Sequence, residues 1–190
     1  MPKDVRKVMA LCGSTKNNST NQQILIYLKE GYAHLLDIEI FSDLDKLPFF
    51  NPDVQDVPLE VKKLRTGIEK ADGVLICTPE YVFSLPGVLK NAIEWTVSTT
   101  LFSNKAVAAI VASASGEKAF ESLKLIMSTI EARIPDEATL LIRGAKGKLV
   151  SGKPKDAVLE TALAGLMEAF IACMEEPNPV PSKYKGYAKN

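Results

Sequence analysis

Five short apolar runs recur along the 190 residues of this chain, and each of them is followed by a segment with helical periodicity. Runs such as Gly73–Cys77 and Ala106–Ala112 are continuously apolar rather than alternating, and they are too short to be helices. Strands buried on both faces have this pattern, and strands separated by helices pair in parallel. The sequence therefore predicts an α/β fold, with a five-stranded parallel sheet as the middle layer of a three-layer sandwich and helices on both faces.

The predicted elements fill one domain, residues 1–175, and residues 176–190 are predicted to form an extended C-terminal tail. The predicted strands are Arg6–Cys12, Ile38–Phe41, Gly73–Cys77, Ala106–Ala112 and Thr139–Arg143. The predicted helices are Thr20–Leu36, Leu59–Lys70, Pro86–Val97, Lys118–Arg133 and Lys155–Met174. Thr20 and Gln23 have the spacing of a capping box at the start of the first helix.

Composition excludes several classes of protein. Lys plus Arg and Asp plus Glu each number 23, so overall charge gives no case for nucleic acid binding. No apolar run approaches the roughly 20 residues of a membrane span, and the N-terminus lacks the apolar core of a signal peptide. The three cysteines are too far apart to indicate a disulfide framework or a metal site. We expect a cytoplasmic protein with no membrane, nucleic acid or metal partner.

The loop after the first strand is rich in hydroxyl groups. It reads GSTKNNSTN, Gly13 to Asn21, and lies between a buried strand and a helix N-terminus. Backbone N–H groups and the helix dipole bind anions at such a position. With no carboxylate nearby to carry Mg²⁺, the loop predicts a phosphate site without a metal. A polar turn with a Ser or Thr cap would give the same pattern, and the sequence alone leaves both interpretations open.

Two further segments bear on ligand binding, because ligands of parallel sheets lie at the carboxyl ends of the strands. The loop TPEYVFSLPG after the third strand carries Tyr81 and Phe83, which suit the face of a flat heteroaromatic ring. These aromatics could equally cap the core or form a subunit contact. Residues 147–153 read GKLVSGK, which is similar to a nucleotide-binding P-loop, but Pro154 replaces its Ser or Thr. We interpret that segment as a basic surface loop.

Together, GSTKNNSTN and PEYVFSLPGVLKNAIEW resemble the motifs of the NADPH-dependent FMN reductase family, which are GS-x-R-x-x-S-x-N and PEYN-x-S-x-PG-x-LKN-x-ID. Members of this family are flavodoxin-like and include quinone, azo-dye and chromate reductases. Lys16 stands where the family usually has Arg, Val82 replaces Asn, and Glu94 replaces Asp. The resemblance covers the chain to about residue 175 and implies the strand order 2-1-3-4-5.

The resemblance also implies the chemistry. FMN would bind with its phosphate in the 13–21 loop and its isoalloxazine ring against Pro79–Tyr81 and the loop after strand four. NADPH or NADH would pass hydride to flavin N5, and the flavin would reduce a quinone, azo compound, free flavin or metal oxyanion in a ping-pong cycle. No catalytic side chain is implied, because the cofactor does the chemistry. The implied cofactor-binding residues are Ser14, Lys16, Ser19, Thr20, Asn21, Pro79, Glu80, Tyr81, Val82, Ser84, Ser113, Ser115 and Gly116.

The resemblance further implies a homodimer or homotetramer with the Pro86–Val97 helix at the subunit interface. Two alternatives remain open at this stage. One is an FMN electron carrier that does not use NAD(P)H directly, although such carriers are usually acidic and this chain has zero net charge. The other is a non-enzymatic family member without flavin, which the departures at Lys16, Val82 and the 113–118 segment would favour.

Overall fold

A computed structural model describes residues 5–176. The predicted C-terminal tail lies outside these residues from position 177 onward, so it stays a prediction.

The sheet has the predicted five parallel strands in the order β2-β1-β3-β4-β5. The strands are β1 Arg6–Cys12, β2 Leu36–Phe41, β3 Gly73–Thr78, β4 Ala106–Ser113 and β5 Thr139–Arg143. Every residue of β3 is buried, as are the first seven of the eight residues of β4, which explains their uninterrupted apolar sequences. The fold class and the strand order predicted from the sequence are both confirmed.

Five α-helices cover the two faces of this sheet. They are α1 Thr20–Gly31, α2 Leu59–Lys70, α3 Gly87–Glu94, α4 Glu117–Thr129 and α5 Ala157–Glu175. Helices α1 and α5 pack on one face, around Leu25 and Phe170, while α2, α3 and α4 pack on the other, around Leu64 and Leu123. This arrangement places the N-termini of α1 and α4 at the same edge of the sheet as the carboxyl ends of β1 and β4.

The first helix begins at Thr20, as predicted, but its C-terminal end and its N-cap differ from the prediction. It ends at Gly31 rather than Leu36, because the chain turns through Tyr32, whose carbonyl accepts the N–H of Leu36. Its N-cap is Ser19, whose hydroxyl accepts the N–H of Gln22 at 3.1 Å. The capping interaction therefore lies one residue earlier than the Thr20–Gln23 spacing predicted.

A small antiparallel hairpin follows β5 and was not predicted. It consists of β6 Leu149–Val150 and β7 Lys153–Pro154, joined by Ser151 and Gly152. Both turn residues have positive φ, 50° and 78°, as a type I′ two-residue turn requires. The hairpin lies against α1 and α5. The segment that we interpreted as a basic surface loop is thus an ordered element at the edge of the sheet.

Segment 47–58, which carries three prolines, is held on α3. The indole N–H of Trp95 donates to the Pro48 carbonyl at 2.7 Å, and Asn91 both donates to Pro48 and accepts from the N–H of Phe50. The rings of Phe50 and Trp95 meet edge to face. Asn91 and Trp95 of the PEY segment therefore anchor this segment, and Trp95 is a core residue.

Within the described residues, α5 is the one helix with the length and apolar composition to cross a bilayer, with a mean hydropathy of 1.7. Its buried side chains pack on the sheet beside β4 and β5, with Phe170 and Met167 completely inaccessible to solvent. It is a core helix of the sandwich.

Candidate functional site

A cleft of about 940 Å³ opens at the carboxyl edge of the sheet. Four segments form it: the loop after β1 with the exposed face of α1, the start of the loop after β3, the end of β4, and the hairpin after β5. Its lining residues are Ser14, Lys16, Asn18, Ser19, Thr20, Asn21, Gln23, Ile26, Tyr27, Glu30, Pro79, Tyr81, Ala112, Ser113, Ala114, Ala145, Lys146, Leu149, Ser151, Gly152 and Lys153. The volume is in the range of sites for small ligands and cofactors.

The loop after β1 presents hydrogen-bond donors to this cleft. The backbone N–H groups of Thr15 and Asn17 have no acceptor within residues 5–176. The same holds for the first two N–H groups of α1, those of Thr20 and Asn21, as expected at a helix start. The hydroxyls of Ser14, Ser19 and Thr20 line the cleft beside them. A cluster of donors with no carboxylate in the loop is suited to an anion.

Gly13 allows this loop to lie directly on the end of β3. Its N–H donates to the Cys77 carbonyl at 2.9 Å. A Cβ at position 13 would lie 2.1 Å from Oγ1 and 2.7 Å from Cβ of Thr78, so no other residue fits without displacing β3. The single glycine of the loop is thus required for close approach of two backbones.

Asn21 ties the start of α1 to the ends of two strands. It is buried, its Nδ2 donates to the Ala112 carbonyl at 3.2 Å, and its Oδ1 accepts the thiol hydrogen of Cys77 at 3.3 Å. Because the amide is used in this way, Asn21 positions the loop after β1 relative to β3 and β4. This arrangement assigns it a positioning role, and the cofactor contact that the resemblance implied stays a prediction, since Asn21 also lines the cleft.

Glu80 connects the loop after β3 to the N-terminus of α4. Its carboxylate accepts the N–H of Ala119 at 2.9 Å, the hydroxyl of Ser115 at 3.0 Å and the N–H of Gly116 at 3.3 Å. The N–H of Ala119, followed by the other donors, holds the pKa of Glu80 below its ordinary value. Gly116 has φ +100°, and a Cβ there would lie 2.8 Å from Leu141, so glycine is required. Glu80, Ser115 and Gly116 therefore form a clamp between two loops, outside the cleft lining.

A strained turn forms the tip of the loop after β3. Tyr81 and Ser84 exchange backbone hydrogen bonds around Val82 and Phe83, which have φ of 51° and 57°. Both are L-residues in the left-handed region, and for β-branched Val82 this conformation is costly. The side chains of Val82 and Phe83 are 95% and 77% exposed. The tip thus displays two apolar groups to solvent beside the cleft.

The structure brings eight of the thirteen predicted site residues to the cleft surface: Ser14, Lys16, Ser19, Thr20, Asn21, Pro79, Tyr81 and Ser113. The other five do not line it: Glu80, Val82, Ser84, Ser115 and Gly116. Sequence reasoning missed the wall formed by α1 and the hairpin. Periodicity could have indicated the exposed face of α1, since Gln23, Tyr27 and Glu30 follow one another at helical spacing.

Burial makes the two cysteines near the cleft, Cys12 and Cys77, weak nucleophiles. Cys12 and Cys77 are neighbours in register on β1 and β3. Burial raises the pKa of Cys12, and it raises the pKa of the fully buried Cys77 far more. Both therefore stay protonated thiols near neutral pH. Among residues 5–176, no group of three or more His, Cys, Asp or Glu side chains could hold a metal ion.

Comparison with known proteins decides the family. The sequence profile described as NADPH-dependent FMN reductase matches residues 6–147. The chain belongs to the NADPH-dependent FMN reductase family. Members are NAD(P)H-dependent flavin oxidoreductases, so this chain is an enzyme of that class and its expected family is confirmed.

Relatives of known activity agree with this membership. The chain is 30% identical over 168 residues to the NADH:(hydroxy)cinnamate reductase subunit CrdA of Vibrio ruber. This alignment covers 85% of this chain and 82% of the relative. It is 37% identical over 112 residues to an NAD(P)H-dependent FMN reductase of Pseudomonas aeruginosa, covering 57% and 60% of the two chains. A quinone reductase of Escherichia coli is 36% identical over 92 residues, about half of each chain.

Solved structures confirm the flavodoxin-like fold. FerB, a flavoenzyme NAD(P)H:(acceptor) oxidoreductase from Paracoccus denitrificans, superposes with a TM-score of 0.75 at 27% identity, over 90% of this chain and 98% of FerB. The apo form of the NADH:FMN oxidoreductase EMOB superposes with a TM-score of 0.70 at 19% identity, over 91% and 92% of the two chains.

Proposed function

We propose that this protein binds FMN in the cleft and uses it to transfer reducing equivalents from NADPH or NADH to a small-molecule acceptor. The observation that carries the proposal is the placement of the donor-rich loop after β1 in the same cleft as Pro79 and Tyr81. A phosphate group and a flat ring can thus be bound at two parts of one continuous surface.

The residues present fit FMN. The phosphate would be held by the hydroxyls of Ser14, Ser19 and Thr20, the unpaired N–H groups of Thr15 and Asn17, and the charge of Lys16. Lys16 is exposed and forms no ion pair with a residue of the 5–176 region, so its charge is available to a ligand. Glu30, the one carboxylate among the lining residues, lies in the last part of α1 away from the loop.

The ring end of the site is a shelf of small and flat groups. Pro79, Tyr81, Ala112, Ser113 and Ala114 line it, and the Glu80 clamp fixes the two loops that carry them. The FMN bound there would supply the redox chemistry, accepting hydride at N5 from the nicotinamide and passing the electrons to the acceptor. The protein's part is to orient the ring and leave one face accessible, and no side chain of the shelf is needed as an acid or base.

The class of electron acceptor is inferred from the relatives, which include a quinone reductase, an NADPH azoreductase and a (hydroxy)cinnamate reductase subunit. We propose a quinone, azo compound, free flavin or metal oxyanion as acceptor, and a cytoplasmic location. We also propose a homodimer or homotetramer. The exposed apolar residues Phe49, on the segment held by α3, and Phe83, just before α3, support an interface there.

Reduction of a reconstituted flavoprotein tests this function. The protein is loaded with FMN, freed of unbound flavin, and titrated anaerobically with NADPH and with NADH while the flavin absorbance near 450 nm is recorded. We expect bleaching by at least one nucleotide and recovery of colour on addition of a quinone. A yellow protein that neither nucleotide bleaches would indicate the electron carrier. Failure to bind FMN would refute both flavin functions.

A further inference from the structure

Three lysines from two separate segments of the chain line the cleft. Lys16 lies in the loop after β1, while Lys146 and Lys153 come from the segment after β5. All three are exposed, and none forms an ion pair or side-chain hydrogen bond with a residue between 5 and 176. Glu30 is the one acidic residue in the lining, so the cleft carries a net positive charge and attracts anions.

The hairpin carries Lys153, and the short helical turn before it, Ala145–Gly147, carries Lys146. Ala145 is buried, and Leu149 packs against the core that α1 and α5 share. The Ser151–Gly152 turn is a closed two-residue turn, and the N–H of Lys155 donates to the Lys148 carbonyl at 2.9 Å, which extends the pairing. Lys153 therefore projects from a paired strand rather than from a free loop.

The hairpin lies beyond the region that the family profile matches, which ends at residue 147. The loop after β1 contains one of the family's shared motifs, and it forms one wall of the cleft. Leu149, Ser151, Gly152 and Lys153, which form another part of the lining, come from this later segment. Lys153 thus lies beyond the matched region, whereas Lys146 lies within it but outside the motif of the loop after β1.

We propose that the hairpin and the Ala145–Gly147 turn before it form a second phosphate-binding wall, in which Lys146 and Lys153 bind a phosphate group of a ligand that occupies the cleft. The inference rests on the proposed function and deepens it. Lysine binds phosphate as a point charge and tolerates varied geometry. The phosphate can belong to FMN or to the nicotinamide dinucleotide, and the loop after β1, which lines the same cleft, favours the 5′-phosphate of FMN.

A pair of double variants tests the proposal. Lys146→Met with Lys153→Met removes both cleft charges and keeps the aliphatic stems. Lys148→Met with Lys155→Met is the matched control, because it changes net charge equally within the same segment at lysines that do not line the cleft. The flavin-free proteins are titrated with FMN and with riboflavin, at low and high salt, by quenching of flavin fluorescence.

We expect the cleft variant to bind FMN about tenfold more weakly at low salt, the effect of two lost charge contacts of modest strength. Riboflavin, which lacks the phosphate, should bind equally to all three proteins, and high salt should shrink the FMN difference. The control pair should leave FMN affinity within about twofold of the unsubstituted protein.

A second arm identifies the source of the phosphate. With saturating FMN, the KM for NADPH and for NADH is measured for each protein. A raised KM for NADPH with unchanged FMN affinity would mean that the lysines bind a phosphate of the dinucleotide. That outcome would support phosphate binding by this wall. Unchanged FMN affinity and unchanged KM values would overturn the inference alone, as would an equal loss in the control pair. Absence of FMN binding by the unsubstituted protein would overturn the proposed function and this inference with it.

Discussion

The carboxylate of Glu80 accepts the backbone N–H of Ala119 at a distance of 2.9 Å, and this contact joins the loop after β3 to the first turn of α4. A charged acceptor at a helix N-terminus is stabilised by the free N–H groups and by the helix dipole. Since Glu80 follows Pro79 and precedes Tyr81, the same contact fixes the shelf on which we propose the flavin ring to lie.

Glu80→Gln should therefore lower both the stability of the fold and the affinity for FMN. The amide keeps one acceptor oxygen but loses the charge, and we expect a stability loss of about 1 kcal/mol, as for a lost helix cap. FMN affinity should fall several-fold because the two ring loops are less well ordered. Thermal unfolding and FMN titration measure these effects. Glu121→Gln is the control, since Glu121 lies on α4, the helix that Glu80 contacts, and within residues 5–176 its carboxylate pairs only with Lys118 at the surface.

The contribution of Glu80 to the stability of the fold should also depend on pH. Its pKa lies below the ordinary value in the folded protein, chiefly because of the Ala119 N–H, so the folded state favours the ionised form. The stabilisation is then complete above the pKa of glutamate in the unfolded chain, about 4.3, and is lost as the pH falls through the lower folded value. The stability difference between the unsubstituted protein and Glu80→Gln should be constant near neutrality and shrink below about pH 4. A difference that persists unchanged in acid would contradict this assignment.

Gly13→Ala should be one of the most damaging small substitutions in the chain. The added Cβ would meet the Thr78 side chain and its backbone Cα, and we expect a loss of about 2 kcal/mol together with weakened FMN binding. Chemical denaturation gives the free energy of unfolding. Gly87→Ala is the matched control, because nothing lies within 4 Å of its added Cβ and alanine favours the first turn of α3.

Val82→Asn should stabilise the protein by about 1 kcal/mol. Asn tolerates the left-handed conformation that Val82 adopts at φ 51°. Replacing Val82 removes no buried contact, because its side chain is exposed. An increase in Tm checks the prediction. Val97→Asn, also at an exposed valine but without a positive φ, should give no such increase. Equal Tm changes in the two variants would mean that the turn stores no strain.

Ser19→Asp separates the capping role of Ser19 from its proposed contact with phosphate. Aspartate caps helices as well as serine does, so the stability should be nearly unchanged. Its charge would repel a phosphate, and we expect at least about tenfold weaker FMN binding with little change for riboflavin. Asp156→Ser, the reverse exchange at the N-cap of α5, should preserve FMN binding. Equal losses of FMN and riboflavin would argue against a phosphate at Ser19.

The sequence predicted the sheet well because its central strands β3 and β4 are buried on both faces, so that residues such as Val74 and Ala108 belong to continuous apolar runs. It predicted the cleft side chains of the first loop for a similar reason, since that loop must lie at the carboxyl edge. It could not predict which polar groups face each other. Glu80 reaches Ala119, 39 positions later, and Asn21 reaches Ala112, 91 positions later, and no local pattern reports such pairs.

The hairpin escaped prediction because its strands are two residues each, below the length at which alternation can be recognised. The similarity of GKLVSGK to a nucleotide-binding motif gives no indication of a hairpin. Its Ser151–Gly152 pair is a turn signal, and the role of its lysines depends on packing against α1 and α5, which only the tertiary structure reveals.

The contact between Gly13 and β3 has a kinetic consequence. Because the N–H of Gly13 and the amide of Asn21 both bind the end of β3, the loop after β1 has its binding geometry before any ligand arrives. Little backbone ordering then accompanies association, so the rate of FMN capture should be set by diffusion and by the charge of the lysines. The lifetime of the complex, rather than a slow rearrangement of the loop, would determine how fully the cleft is occupied in the cell.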